Sequence, residues 1–393
     1  MSPHLMQGLV SVNPAFRPRA FGRALGGFAV GHAAGRHIDT MLPDCLAQLA
    51  SAPSSATLGL VYLSADLIDQ FDPLIEKLYR AFPRVNWVGA TVEGVMADCV
   101  EYRSGGSLAI MVGDVAVDQF RILAGARRSL AGRLASLHGW RQRNGLSGAL
   151  IHGDASNPGG VDMIDELSRY IGDAPLVGGL IGRRRPGLQV AVNVISGGVS
   201  GVVFGRDVEV FSGRALACSP LGETHAVTRM AGGDIRELNG RPALDVLFDE
   251  AGELLSRDLD RLTSFICPAL ATEPAGEQFA PADFLSIDPV TRSFRVDERI
   301  ALSGRLRFYR RDGDAAWRHF EALLSQAVER TRGRTVQAGV FIGGRVSNSA
   351  PGTELASIRA ALGQFPLIGY RSDCDIHEGR RYSHTSVLSL LVD

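Results

Sequence analysis

Short unbroken apolar runs alternate with amphipathic stretches along this chain, and one combination of the two occurs three times. An apolar run enters a small polar loop, an amphipathic stretch follows, and a second apolar run ends on glycine. The first copy starts at Leu58, passes Ser64-Ala65-Asp66 and Phe82-Pro83, and closes on Trp87-Val88-Gly89-Ala90-Thr91. The second starts at Gly148, passes His152-Gly153-Asp154, and closes on Leu176-Val177-Gly178-Gly179. The third starts near Gln337, passes Gly343-Gly344-Arg345, and closes on Leu367-Ile368-Gly369-Tyr370. Buried parallel strands read as unalternating apolar runs and need a helix to return the chain, so each copy predicts strand, loop, crossover helix and strand. Ligands in such folds sit at the carboxyl ends of strands. That rule singles out His152, Asp154 and Arg345 after first strands, and the glycines of the second strands, where backbone approaches a ligand closely.

The remaining pattern predicts a leader over residues 1–27, poorly ordered or adding a strand, and a helix from His37 to Leu49. A strand over Ser107 to Val112 is expected to pair with Gln119 to Leu123, followed by a helix from Ser129 to Gln142. Arg183-Arg184-Arg185 with Pro186-Gly187 reads as a turn into a strand from Gln189 to Ile195. The character changes near residue 210, which is taken as a domain boundary. Beyond it come a hairpin around Arg229 to Leu238, a helix opened by Pro242, strands within Phe284 to Val296, a helix from Asp314 to Arg330 and a last strand from Ser386 to Val392. The expected fold class is α/β, with two domains, 28–210 and 211–393, whose mixed, largely parallel sheets are built from the repeated unit.

Composition narrows the function classes. With 41 basic and 42 acidic residues the net charge is -1, which leaves no overall electrostatic footprint for nucleic acid or an anionic membrane. Lys77 is the single lysine, so no glycine-rich phosphate loop of the lysine-bearing type exists. Five cysteines at positions 45, 99, 218, 267 and 374 form no CxxC pair, which fits a reducing, cytoplasmic setting. No signal-peptide core and no run approaching a membrane span is present, so no membrane insertion is expected.

Five segments together resemble the FIST family, with its N-terminal and C-terminal domains in tandem. They are Trp87-Val88-Gly89-Ala90-Thr91, Leu176-Val177-Gly178-Gly179, Ala217-Cys218-Ser219-Pro220-Leu221-Gly222 with Val227-Thr228, Leu238-Asn239-Gly240-Arg241-Pro242-Ala243-Leu244, and Phe365-Pro366-Leu367-Ile368-Gly369-Tyr370. The resemblance implies an intracellular signal-transduction role in which the domains bind a small ligand, an amino acid or a derivative being the usual suggestion. It also keeps haem as a named alternative, since some members look like nitric oxide sensors that regulate histidine kinases. This chain departs from the family in Phe341-Ile342-Gly343-Gly344-Arg345-Val346, where relatives carry a cysteine before the arginine, and in Cys374-Asp375, where they tend to carry Gly-Glu.

The candidate ligand residues are Thr91, Glu93, His152, Asp154, Gly178, Gly179, Cys218, Arg345, Asn348, Arg371, Asp373, Asp375 and His384. Arg345 beside Asn348 suits a bidentate carboxylate clamp, and an interdomain salt bridge is its structural alternative. Asp373 and Asp375 suit an ammonium group, or pairing with Arg371 or Arg380. His152 follows an apolar strand and faces a cleft if the strand-end rule holds. Asn157-Pro158 is turn chemistry. His32, His37, His225, His319, His377 and His384 are too dispersed to nominate a haem ligand from spacing, and no cofactor is called. No nucleophile elbow, HExxH or GxGxxG motif occurs. The expectation is therefore a sensor that signals through a partner such as a histidine kinase. An enzyme using His152, Asp154 and Asp375 stands as the alternative.

Overall fold

The computed structural model describes residues 24–157, 159–182, 187–271, 279–296, 304–344, 350–372 and 374–393. The three repeated units each form the parallel pair that the pattern predicts: Leu58–Ser64 with Asn86–Val92, Gly148–Asp154 with Leu176–Ile181, and Val336–Gly344 with Leu367–Ser372. Every residue of Leu58–Ser64 and of Gly148–Asp154 is buried, which accounts for their unalternating apolar character.

Each pair is the centre of a six-stranded sheet, and the three sheets share one plan. On one side of the pair lie two antiparallel strands; on the other side lies a short hairpin. In the first sheet the order is Leu25–Ala34, Ser107–Val115, Leu58–Ser64, Asn86–Val92, then the hairpin Leu188–Ala191 and Asn193–Ser196. In the second it is Phe120–Ala126, Val199–Phe204, Gly148–Asp154, Leu176–Ile181, then Asp375–His377 and Arg380–Tyr382. In the third it is Glu209–Leu216, Thr385–Val392, Val336–Gly344, Leu367–Ser372, then Val95–Ala97 and Val100–Tyr102. The mixed α/β class is thus as expected, with one parallel pair per sheet and antiparallel pairing elsewhere.

The hairpins are lent in a ring. The hairpin that follows the first unit completes the third sheet, the one after the third unit completes the second, and the one after the second unit completes the first. Two sheets therefore draw strands from both sides of residue 210.

The glycine that closes each unit has a common cause. A Cβ at Gly89, Gly178 or Gly369 would lie 1.8, 2.1 or 2.0 Å from the carbonyl oxygen of Val61, Ile151 or Phe341 on the partner strand. No side chain fits at that distance, so the repeat is imposed by backbone approach.

The inner faces of the three sheets meet in one apolar core that includes Tyr62, Val88, Val177, Ile342 and Tyr370. A pair of helices covers each outer face. Ile38–Gln48 and Phe71–Ala81 cover the first sheet, Ala131–Asn144 and Gly160–Ile171 the second, and Gly313–Arg330 and Thr353–Leu362 the third. Between Glu209–Leu216 and helix Gly313–Arg330 the chain forms a fourth, wholly antiparallel sheet spanning Cys218–Ala231 to Arg305–Arg311, with its own core around Leu244, Phe294 and Phe308.

Two sequence expectations require correction. Ser107–Val115 does not pair with Phe120–Ala126; it lies between Leu25–Ala34 and Leu58–Ser64, so both its edges are taken, and Phe120–Ala126 pairs with Val199–Phe204 in the second sheet. The strand expected from Gln189 to Ile195 is a hairpin broken at Val192, whose φ of 76° reverses the chain. The end of the expected leader adds a strand, one of its two alternatives, with Leu25 opening Leu25–Ala34. The arginine cluster 183–185 and Asn157's neighbour Pro158 lie outside the described residues.

Candidate functional site

The register places three residue pairs at one level of the three sheets: Tyr62 opposite Ala90, His152 opposite Gly179, and Ile342 opposite Tyr370. Their side chains converge where the sheets meet. The rings of Tyr62, His152 and Tyr370 pack mutually, with centroids 4.7 Å apart for the two tyrosines, 5.5 Å for Tyr62 and His152, and 5.7 Å for His152 and Tyr370. All three residues are fully buried.

Tyr62 Oη and His152 Nε2 share a hydrogen bond of 3.0 Å. His152 Nδ1 and Tyr370 Oη have no hydrogen-bond partner among the described residues. A Cβ on Gly179 would stand 2.9 Å from Tyr370 Oη and 2.7 Å from Ser372 Oγ, so the absence of a side chain there admits the tyrosine hydroxyl beside His152. Asp375 lies opposite Gly179 on the lent hairpin and accepts a 2.8 Å hydrogen bond from Thr385 Oγ1. The cluster is thus built from five strands.

Burial sets the protonation states. It drives the His152 imidazole down to about 3, so the ring is neutral at physiological pH. Burial also raises both tyrosines, and for Tyr370 the neighbouring Tyr62 and the Asp375 carboxylate push the same way. The site therefore offers hydrogen-bonding groups in their neutral forms beside one carboxyl group, inside an apolar shell.

Of the residues nominated from sequence, His152, Gly179 and Asp375 meet in this cluster, and Gly178 is the close-approach glycine next to it. Asp154 is turned to the loop: its oxygens accept from Ser156 N at 2.8 Å, Ser156 Oγ at 2.6 Å and Gly197 N at 2.8 Å. Thr91 Oγ1 accepts from Leu188 N at 2.9 Å and pins the hairpin lent to the first sheet, while Glu93 is exposed.

Arg371 is not the partner of Asp375. Its Nε donates to Glu101 at 2.7 Å, its Nη2 to Glu354 at 3.1 Å, and its Nη1 to the Gly344 carbonyl. Burial alone would raise Glu101, yet hydrogen bonds from Arg103 and Arg371 hold it at about 2. This buried ion cluster fastens the hairpin lent to the third sheet. Cys218 is buried beside Cys267, which hydrogen bonds to it, and His384 Nε2 lies 2.9 Å from Asp283 and 3.0 Å from Arg311. Arg345, Asn348 and Asp373 lie outside the described residues.

The Asn239 segment has a structural explanation. Asn239 Oδ1 accepts from Ala226 N at 2.8 Å, which turns its Nδ2 toward His225 Nδ1 at 3.0 Å. His225 Nδ1 is then the acceptor, and Nε2–H donates to Glu250 at 2.5 Å. Both ring nitrogens are spent on holding the turn.

Among the described residues no group of three or more His, Cys, Asp or Glu is placed to hold a metal ion. The histidines considered as haem ligands are scattered: His32 bonds Tyr102, His319 the Leu216 carbonyl, and His377 approaches Ser212, while His37 is exposed. Sequence reasoning missed Tyr62 and Tyr370. The signal was present, since a tyrosine within an otherwise aliphatic buried strand brings a hydroxyl that needs a partner.

No helix among the described residues is long and apolar enough to cross a membrane. An uncharacterized protein of Mycobacterium bovis and one of Mycobacterium tuberculosis are each 30% identical to the chain over 250 residues, covering 59% of this chain and 64% of each relative's length. Residues 57–241 match the family model described as the FIST N domain, a stretch that takes in the first two units and enters the fourth sheet. Over those residues, just under half of its length, the chain is similar to the FIST family.

Proposed function

We propose that the protein is an intracellular sensor of a small polar ligand, that the ligand is held by His152 and Tyr370 at the junction of the three sheets, and that output passes to a partner protein. The observation that carries this reading is the pair of polar atoms, His152 Nδ1 and Tyr370 Oη, left without partners among the described residues at a fully buried position. Leaving a buried polar group unsatisfied costs about 1–3 kcal/mol. A ligand that supplies hydrogen-bond partners to both recovers that cost, and it reaches them only when the sheets part. Ligand binding and a change of shape are then one event, which is what a sensor requires, because a ligand shifts an equilibrium only through its different affinity for the two states. Similarity over residues 57–241 to a family associated with signal transduction supports the same reading.

Native mass spectrometry of the protein from its own host, joined to an absorbance scan, tests it. The expected result is a retained mass of metabolite size in the native chain that is lost from a His152→Phe, Tyr370→Phe variant of unchanged melting temperature. Retention of the same mass by the variant would sink the proposed site, and a haem mass with a Soret band would replace the ligand class.

A further inference from the structure

The near-neutral total charge conceals a segment of one sign. The 35 residues from Gln119 to Gly153 contain six arginines and two histidines and no aspartate or glutamate. They form the edge strand Phe120–Ala126, the helix Ala131–Asn144 and the strand Gly148–Asp154 of the second module.

Many arginines elsewhere meet carboxylates, as in Arg229 with Glu237, Arg236 with Asp234 and Arg257 with Glu253. Here they are held by backbone carbonyls. Arg121 donates to the Val117 and Phe120 carbonyls at 2.9 and 2.7 Å. Arg133 donates to Ala124 and Gly125 at 2.8 and 3.0 Å, and Arg127 to Ser196 at 2.8 Å. Arg206 reaches over from the following turn and donates to Asn144 and Arg143 at 3.2 and 2.6 Å, and Arg141 donates to the Tyr170 carbonyl. A carbonyl positions a guanidinium without neutralising it, and the planar fork keeps unspent N–H donors.

The densest point is the carboxyl end of helix Ala131–Asn144. Arg121 lies 5.2 Å from the centre of the Trp140 ring, and exposed Arg143 and Arg206 stand beside it. Burial and the neighbouring Arg143 both depress the Arg121 pKa, and Asp118 opposes them. None of Arg121, Arg143 and Arg206 forms an ion pair among the described residues. The negative end of a helix welcomes cations in its last turn, which accounts for Arg141 and Arg143 but not for Arg121 and Arg206, contributed by other segments. A like-charge group so fixed strains the isolated chain and is relieved by an anion of matching shape.

We propose that this arginine face, centred on Arg121, Arg143 and Arg206, docks an acidic segment of a partner protein. Guanidinium forks match carboxylates in bidentate pairs. A nucleic-acid footprint is disfavoured, because such domains carry a basic pI and this chain has a pI of about 6.8. The inference rests on the surface alone and survives if the ligand site proposed above is wrong.

The test uses a labelled polyglutamate peptide of about 20 residues at low salt, where surface charges are least screened, with binding read by anisotropy and by the fluorescence of Trp140 beneath Arg121. Wild-type protein is expected to bind, and Arg121→Gln, Arg143→Gln, Arg206→Gln together to weaken binding about tenfold or more, as loss of several charge contacts implies. The triple change Arg229→Gln, Arg236→Gln, Arg257→Gln, removing equal charge elsewhere, is expected to leave binding within about twofold. Equal weakening by the two triples, or no binding by the wild type, would overturn the proposal. So would tighter binding of a single-stranded oligonucleotide of similar length, which would make the face a nucleic-acid surface.

Discussion

His152 in the three-sheet body and His225 in the inserted antiparallel sheet are both buried histidines, and they are treated in opposite ways. His225 is satisfied on both nitrogens by Asn239 and Glu250, and its tautomer follows from the Ala226 amide that orients Asn239. His152 has one nitrogen on Tyr62 and the other without a partner among the described residues, next to a tyrosine hydroxyl in the same condition. The segment with the more recognisable motif, Leu238-Asn239-Gly240-Arg241-Pro242, is therefore scaffold. The histidine in a plain apolar strand is the one with chemistry left to offer. A satisfied polar cluster specifies a fold, whereas an unsatisfied one stores free energy that a binding event can release.

The difference between the two regions can be broken most severely at the clasp. Arg371→Ala leaves Glu354 buried without its cation and Glu101 with Arg103 alone, and a loss of about 3–5 kcal/mol in denaturant unfolding is expected. Removing Arg241 or Arg257, whose carboxylate partners Asp249 and Glu253 are exposed, should cost less than about 1 kcal/mol. If the two classes cost the same, the body is not held by its buried ions.

Next in size is the contrast between satisfied and unsatisfied groups. Asn239→Ala should cost about 1–3 kcal/mol, since it strands the Ala226 amide and the His225 ring. Tyr370→Phe deletes a hydroxyl that has no partner and should be neutral or slightly stabilising in the ligand-free protein. A loss of more than about 1 kcal/mol at Tyr370 would mean the hydroxyl is already satisfied by something bound.

The most gradual effect is the pH slope. Burial lowers His152 to about 3 and His377 to about 4, against an ordinary value of 6.5. The unfolded chain thus takes up protons that the folded chain refuses. Stability from these groups is complete above 6.5 and falls as pH drops below it, toward pH 4 for His377 and pH 3 for His152. The expected slope is about 1.4 kcal/mol per pH unit per histidine. Chemical unfolding at several pH values in that window should show His152→Phe removing one such increment.

Much of the fold was legible because local pattern reports local structure. The three units, their closing glycines, the helix expected from Asp314 to Arg330 and found at Gly313–Arg330, and the final strand at Thr385–Val392 all follow from periodicity and punctuation. Pairing was not legible. Nothing in Ser107 to Val112 says that both its edges are taken, and three-residue strands such as Val95–Ala97 and Asp375–His377 are too short to announce their sheets. His152, Gly179 and Asp375 were reachable from the strand-end rule. Tyr62 and Tyr370 were absorbed into the apolar runs that contain them. The arginine face was hidden for a different reason: a charge summed over the whole chain cannot show a segment in which acids are missing.

The ring of lent hairpins also bears on how the protein is made. A ribosome releases residues in order, so the first sheet lacks its last two strands until Leu188–Ser196 has emerged, and the second lacks its own until Asp375–Tyr382 has done so. For about half of synthesis the second strand of the middle unit, Leu176–Ile181, presents an open edge to whatever is nearby. Such edges pair indiscriminately, and contacts this distant in sequence form slowly. Pausing late in translation, or a chaperone that shields that edge, should raise the yield of correctly closed molecules more than any change to the early part of the chain.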